Sequence, residues 1–158
     1  MTEAAFLLGA PYREADYDEA YVRSLAVGLS KLGPENVVLT DVSFTPDQTG
    51  VAVYQRRTDT LAFAFRERYD GVFHGTGDVF ASFLLSALLG GLPLSDAATL
   101  ALDCTHASIR YTLADGEPLR YGEQFERALP LLMERLGTRG TTLGDSVSQT
   151  HCLRDFIP

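Results

Sequence analysis

The stretch His74–Ser82, HGTGDVFAS, decides how the rest of this sequence is interpreted. It places two glycines, a threonine and an aspartate directly before the most apolar segment of the chain, VFASFLLSALLGG (79–91). Glycines permit a sharp change of backbone direction, and an acid is favourable in the first turn of a helix. The stretch therefore predicts a turn from a loop into a largely apolar helix.

The start of this helix has the chemistry of an anion site. The first turn of a helix carries N–H groups without partners and the positive end of the helix dipole. Gly75 and Gly77 would let the backbone approach a bound phosphate closely. Asp78, ionised at neutral pH, can accept a proton from an attacking hydroxyl group. The alternative is purely structural, because an isolated G-x-G-D is more often a turn followed by a capping acid.

Composition limits the classes of protein that need to be considered. A chain of 158 residues with 46% hydrophobic and 22% charged residues is typical of one globular domain. The formal charge of −8, from 13 basic and 21 acidic residues, disfavours nucleic acids and anionic membranes as partners. The longest apolar segment is too short to span a membrane. Only two cysteines are present, so we expect a reducing, cytoplasmic location.

Helical and extended patterns alternate along the chain, which is typical of an α/β layered domain. Asp16 is predicted to cap a first long helix, with Glu19 three residues later. Two further helices are predicted, one capped by Ser95 and one over 121–136 in which Pro130 kinks the helix or delays its start. About three strands are predicted, of which the last two form an antiparallel hairpin. In chain order they are NVVLT (36–40), GVAVYQR (50–56) and TLAFAFRE (60–67).

A family resemblance covers about residues 2–136. The segment FHGTGDVFASFLLSALLGGLPLSDAATLAL (73–102) resembles the C-terminal motif of the ribokinase-like superfamily. Within it the chain is most similar to bacterial pyridoxal/pyridoxamine kinases, because TEAAFLLGAPY (2–12), NVVLTDVSF (36–44) and ASIRYT (107–112) occur in the same order. The resemblance implies part of a three-layer α-β-α sandwich. It also implies ATP-dependent phosphorylation of the 5′-hydroxymethyl group of a B6 vitamer.

The resemblance assigns roles to the residues of the glycine-rich stretch. Gly75, Thr76 and Gly77 match the family's anion hole, and Asp78 matches the catalytic base that accepts the proton of the substrate hydroxyl group. Hydroxymethylpyrimidine kinases have a similar layout but usually carry cysteine at the position of Asp78. That position favours the pyridoxal kinases, with the pyrimidine kinases as the alternative.

Two more positions match the family outside this stretch. Thr40 matches a threonine that contacts ATP phosphate, although a hydroxyl group at a strand end equally often bonds to local backbone. Glu3 matches an acid that holds Mg²⁺ through water, and without the resemblance it would be interpreted as an acid at a helix N-terminus. Asp41 is adjacent to a matched position and has no assigned role. Mg-ATP and a monovalent cation such as K⁺ are the implied cofactors.

The chain also departs from the family pattern. In the family, a long N-terminal half that contains most of the vitamin pocket precedes the element matched by Glu3, and the asparagine of that element would fall before Met1. We therefore expect residues 1–137 to be the C-terminal, nucleotide-binding part of a kinase domain, and residues 138–158 to be an irregular tail. A homodimer is expected from the family. A non-catalytic nucleotide-binding fragment is the alternative function.

Overall fold

The computed structural model describes residues 1–13, 16–71, 73–115 and 122–137. The predicted tail, 138–158, lies outside these residues, as does the predicted start of the last helix at 121. Six helical elements and three strands occur in the described part of the chain. They are α1 (Thr2–Leu8), α2 (Glu19–Ser30), β1 (Asn36–Val42), β2 (Gln48–Gln55), β3 (Thr60–Glu67), α3 (Thr76–Leu89), α4 (Leu94–Asp115), a 3-10 turn (Phe125–Ala128) and α5 (Leu129–Gly137).

The three strands form one antiparallel sheet in the order β1-β2-β3. Strands β2 and β3 pair from Gln48↔Glu67 to Gln55↔Thr60, which leaves four residues for the turn between them. The predicted strands and the predicted hairpin are therefore confirmed. Strand β1 is longer than predicted, because it continues past a bulge at Asp41.

Side chains on the two faces of the sheet enter two different hydrophobic clusters. On β2, Val51 and Val53 pack with residues of α3, α4 and α5, whereas Ala52 and Tyr54 pack with residues of α1 and α2. This alternation follows from the pleat of a strand, in which successive side chains point to opposite faces. The described part of the chain thus has three layers, helix, sheet and helix, as the resemblance implied.

Two predicted helix starts are wrong by one or two residues. Helix α2 begins at Glu19 and its cap is Asp18, whose Oδ1 accepts a hydrogen bond of 2.9 Å from the backbone N–H of Tyr21. Asp16, the predicted cap, has a φ of 57° and lies before the helix. Helix α4 begins at Leu94, so Ser95 lies inside its first turn.

The position of Pro130 explains where the last helix, α5, begins. Pro130 is the second residue of α5, where it needs no intrahelical N–H partner, and a 3-10 turn precedes it. The proline therefore delays the start of the helix, one of the two predicted outcomes. Among the residues described, no helix has both the length and the apolar character needed to cross a membrane.

Candidate functional site

The glycine-rich stretch forms the N-terminus of α3. Gly75 is the cap residue, with a φ of 89° and a ψ of −2°, a left-handed conformation that glycine adopts without strain. The first intrahelical bond runs from the N–H of Val79 to the carbonyl of Gly75, at 3.0 Å. The N–H groups of Thr76, Gly77 and Asp78 come before this bond, so they have no carbonyl acceptor within the helix.

The space around these N–H groups is open. Apart from the neighbouring residues and the local helix backbone, no atom of the described residues would lie within 4 Å of a Cβ atom added at Gly75 or at Gly77. Open space next to unpaired N–H groups at the positive end of a helix is what a bound anion requires. The local geometry therefore suits a phosphate group.

A cavity of about 440 Å³ adjoins this helix start. It lies where β1 and β3 end and β2 begins, so it brings together residues that are far apart in the sequence. Its walls come from the sheet, from the loop after β3 and from helices α3 and α4. The lining residues are Thr40, Asp41, Thr49, Gly50, Val51, Glu67, Arg68, Tyr69, Gly71, Phe73, Thr76, Gly77, Phe80, Leu102, Thr105, His106 and Ile109.

Three of the predicted site residues share this cavity. Thr40 lines it from the end of β1, opposite Thr76 and Gly77 at the start of α3. Thr40 and Thr76 are far apart in the sequence. They line the same cavity because the antiparallel sheet returns the chain to the same end of the domain. A hydroxyl group and the anion-binding turn therefore border one space, although they belong to different elements.

Glu3 lies close to Thr40 but outside the cavity lining. The N-terminal amine of Met1 donates to the carbonyl of Thr40 at 3.2 Å and is 3.9 Å from Oε2 of Glu3. The Glu3 side chain is 89% exposed. The N-terminus of α1 is thus held at the end of β1 from which Thr40 faces the cavity.

The implied Mg²⁺ can be tested against these residues. Within the described ranges, no group of three or more His, Cys, Asp or Glu side chains is arranged to hold a metal ion. Mg²⁺ keeps several waters and is commonly bound by one or two carboxylates together with substrate phosphates. One exposed carboxylate, that of Glu3, near the proposed phosphate region fits such water-mediated binding.

Asp78 is placed differently from the other predicted residues. Its side chain is exposed and is not part of the cavity lining. Successive residues of a helix are rotated by about 100°, so Asp78 and Gly77 face different sides of the helix start. The carboxylate and the cavity therefore border the anion-binding turn from different directions.

The sequence analysis missed most of the cavity wall. Asp41, to which no role was assigned, occupies the bulge of β1 with a φ of 55°. Its Oδ1 is 3.4 Å from the hydroxyl group of Thr49 and 3.2 Å from Nη2 of Arg68. Arg68 follows directly after β3, and no sequence pattern marks it as a site residue. The left-handed bulge residue, a feature common near binding clefts, marks this corner only once the structure is known.

Another part of the cavity wall is aromatic and apolar. The rings of Tyr69 and His106 stack with centroids 4.8 Å apart and an angle of 25° between their planes. Burial lowers the pKa of His106, and the nearby Arg66 lowers it further. In the described part of the chain, the buried Nε2 atom of His106 has no hydrogen-bond partner. This wall is uncharged at neutral pH and is suited to a flat, apolar group.

The fold agrees with part of the ribokinase-like three-layer sandwich that the resemblance implies. Helices on both faces of the sheet and an anion-binding turn beside a cavity are the features that support this agreement. Comparison with solved structures identifies the kinases that this chain resembles.

A provisionally assigned phosphomethylpyrimidine kinase from Bacteroides thetaiotaomicron is 28% identical to this chain, with a TM-score of 0.76, over 85% of this chain and 45% of that one. The pyridoxal kinase from Lactobacillus plantarum is 26% identical, with a TM-score of 0.74, over 85% of this chain and 47% of that one. The predicted resemblance to pyridoxal kinases is therefore confirmed.

More distant structures share the fold. The pyridoxal kinase from Leishmania donovani, solved with ADP and pyridoxamine, is 22% identical with a TM-score of 0.66, over 85% of this chain and 45% of that one. The chain spans about half the length of the solved structures that it matches. No protein-family model and no curated protein matches the sequence.

Proposed function

We propose that this chain forms the ATP-binding and anion-hole part of a kinase that phosphorylates the 5′-hydroxymethyl group of pyridoxal, pyridoxine or pyridoxamine. One observation carries the proposal: the free N–H groups at the start of α3 adjoin a cavity that is also lined by Thr40. Such a cavity has the size of a small-molecule site, and its polar groups are concentrated beside an anion-binding turn. Mg-ATP is the nucleotide that this arrangement suits.

In this proposal each element of the site has a separate task. The N–H groups of Thr76 and Gly77 stabilise negative charge on the transferred phosphoryl group, and Thr40 donates a hydrogen bond to phosphate. The purine base lies against Tyr69 and His106, where the cavity wall is aromatic and uncharged. Glu3 would hold Mg²⁺ through water, and the ion would neutralise phosphate charge.

Asp78 is proposed as the catalytic base. Its exposed carboxylate borders the anion-binding turn from a side other than the nucleotide cavity, where an acceptor hydroxyl group can approach. In-line transfer needs the attacking and leaving oxygens on opposite sides of the phosphorus atom. The placement of Asp78 supports this geometry, because the nucleotide and the acceptor would reach the turn from different directions.

A hydroxymethylpyrimidine kinase is the second candidate. It is favoured by the similarity to the Bacteroides structure, which is provisionally assigned as a phosphomethylpyrimidine kinase, an enzyme with a related pyrimidine substrate. A second crystal form of the same protein, 29% identical to this chain over 83% of it, was solved with pyridoxal. That ligand, together with aspartate at position 78, supports the pyridoxal assignment over the pyrimidine one.

The experiment is a turnover assay of this chain together with the N-terminal half of a pyridoxal kinase, which supplies the vitamin pocket. The assay contains Mg-ATP, K⁺ and each B6 vitamer, with hydroxymethylpyrimidine as the competing substrate. We expect a 5′-phosphorylated vitamer to form and Asp78→Asn to reduce its rate by about 10²-fold or more, because a general base contributes that much. The affinity for ADP should not change in this variant. Glu134→Gln, an exposed acid on α5, is the matched control.

Three outcomes separate the candidates. Phosphorylation of the pyrimidine alone would replace the proposed substrate, and equal rates for wild type and Asp78→Asn would remove Asp78 from the mechanism. Nucleotide binding without turnover of any substrate would instead support a nucleotide-binding module. Homodimer formation is a further proposal from the resemblance, and sedimentation equilibrium tests it.

A further inference from the structure

The ion pair between Asp41 and Arg68 is the part of the cavity wall that the proposed function leaves unexplained. Both residues line the cavity together with Thr40 and Gly77, and their charged atoms are 3.2 Å apart. Among the described residues that line the cavity, Arg68 is the one arginine or lysine, whereas Asp41 and Glu67 are acidic. A cavity for a nucleotide must neutralise phosphate charge, and the overall charge of the chain is −8.

Two hydrogen bonds to described residues leave other N–H donors of the Arg68 guanidinium group available. Its Nε donates to the carbonyl of Gln48 at 3.3 Å and its Nη2 donates to Oδ1 of Asp41 at 3.2 Å. A guanidinium group carries five N–H donors in a planar fork, which matches the oxygens of a phosphate group. These two contacts therefore fix the side chain while leaving N–H groups for a ligand in the cavity.

The carboxylate of Asp41 is held in an unusual way. The residue occupies the β-bulge with a φ of 55°, a left-handed conformation that few residues other than glycine adopt. Asparagine and aspartate tolerate this conformation better than other side chains do. The bulge turns this side chain towards Arg68 and Thr49, and an uninterrupted strand would direct the same residue elsewhere.

We propose that Arg68 binds the nucleotide phosphates in this cavity and that Asp41 is a positioning residue, which holds the guanidinium group at the cavity wall. The inference rests on the proposed nucleotide site and adds a cationic residue to it. Phosphate binding by Arg68 is non-covalent, so no covalent bond is formed or broken. The Arg68 and Asp41 side chains are 42% and 73% exposed, so Asp41 can hold one side of the guanidinium group while the remaining N–H groups stay accessible to phosphate oxygens.

The test is calorimetric titration of the purified chain with ADP and, separately, with adenosine, which lacks phosphates. We expect Arg68→Gln to weaken ADP binding about tenfold, the loss typical of a charge-assisted hydrogen bond, and to leave adenosine binding unchanged. Arg68→Lys should recover part of the ADP affinity. Arg23→Gln is the matched control, because Arg23 forms a similar exposed pair with Asp59 and does not line the cavity.

The role of Asp41 requires a double-mutant cycle. We expect Asp41→Asn to weaken ADP binding by about threefold when Arg68 is present, and to have no weakening effect in the Arg68→Gln background. A purely structural role would give the same loss in both backgrounds and would overturn the assignment of Asp41.

Failure of this inference is distinguishable from failure of the proposed function. ADP binding that is equal in the wild type and in Arg68→Gln would overturn the inference alone. A wild-type chain that binds neither ADP nor adenosine would contradict the proposed function, and the inference with it.

Discussion

Gly75 and Gly77 are both part of the proposed anion-binding turn, but they are expected to be required for different physical reasons. Gly75 has a positive φ of 89°, so its lack of a side chain serves the backbone. Gly77 is an ordinary helical residue with open space where a Cβ would lie, so its lack of a side chain serves the ligand. Single substitutions should therefore separate stability from binding at two positions that the sequence presents as equivalent.

Substitution of Gly77 by alanine is expected to leave the fold intact and weaken phosphate binding. The added methyl group meets no atom of the described residues beyond the local helix backbone, and alanine is the better helix former by about 1 kcal/mol. The free energy of unfolding should therefore stay equal or rise. The same methyl group would occupy the space proposed for phosphate, so ADP affinity should fall by about tenfold or more. Thermal unfolding and calorimetric titration measure the two effects.

The control for this substitution is Gly137→Ala at the end of α5, where an added Cβ likewise meets no atom of the described residues beyond its neighbours and the local helix backbone. It should leave ADP binding unchanged. Wild-type ADP affinity in Gly77→Ala would contradict the proposed position of the phosphate.

Substitution of Gly75 by alanine should have the opposite effect on stability. A side chain in the left-handed region costs about 1–2 kcal/mol, and no contact compensates for it. We therefore expect a lower free energy of unfolding in urea, in contrast to Gly77→Ala. An unchanged midpoint would mean that this turn relaxes to another conformation.

Helix α2 shows how far local patterns can locate an element. Its existence follows from the spacing of its apolar residues, but two aspartates compete as caps within three positions. Geometry selects Asp18, because its carboxylate reaches the N–H of Tyr21. We expect Asp18→Ala to cost about 1 kcal/mol of stability, and Asp16→Asn to cost little, as measured by urea unfolding. A larger loss of stability for Asp16→Asn than for Asp18→Ala would show that Asp16 caps the helix, as the sequence predicted.

The elements of this fold were largely predictable, and the reason is that their patterns are local. Alternation of apolar residues predicted the β2–β3 hairpin, and the glycine-to-apolar transition predicted α3. The bulge at Asp41 was not predictable, because it depends on pairing between β1 and β2. The cavity wall of Arg68, Tyr69 and His106 was missed for the same reason: contacts between distant segments create it.

The segment before the 3-10 turn contains a buried acid, Glu123, and burial shifts its pKa strongly. Glu123 is 7% exposed, and neither of its carboxylate oxygens has a hydrogen-bond partner among the residues described. Burial raises the pKa of Glu123 from 4.5 to about 7. The folded state therefore holds the proton more tightly than the unfolded state does.

The sign of the pH dependence follows from this shift. Because the pKa is higher in the folded state, the contribution of Glu123 to stability falls as the pH rises from about 4.5 to about 7. Glu123→Gln should remove this loss and stabilise the fold by roughly 1–2 kcal/mol near pH 8, with a smaller difference near pH 5. The exposed Glu126→Gln is the control. Equal pH profiles of unfolding for wild type and Glu123→Gln would show that Glu123 is solvated.

At the scale of the whole molecule, the site exists only because the chain returns to one end of the sheet. The cavity draws on β1, β2, β3, α3 and α4, and its two ends differ in chemistry. The free N–H groups of α3 suit phosphate, and the stacked Tyr69 and His106 suit a base. Asp78 borders the same turn from outside the cavity, so under the proposed function nucleotide and acceptor would approach one helix start from two sides.

The central claim is that a nucleotide phosphate binds at the first turn of α3, and amide chemical shifts test it most directly. Isotope-labelled protein would be titrated with ADP and, in a parallel sample, with adenosine. We predict that the backbone N–H signals of Thr76, Gly77 and Asp78 shift with ADP and not with adenosine, while signals near His106 shift with both. Signals at 76–78 that do not respond to ADP, while the protein binds it, would contradict the account.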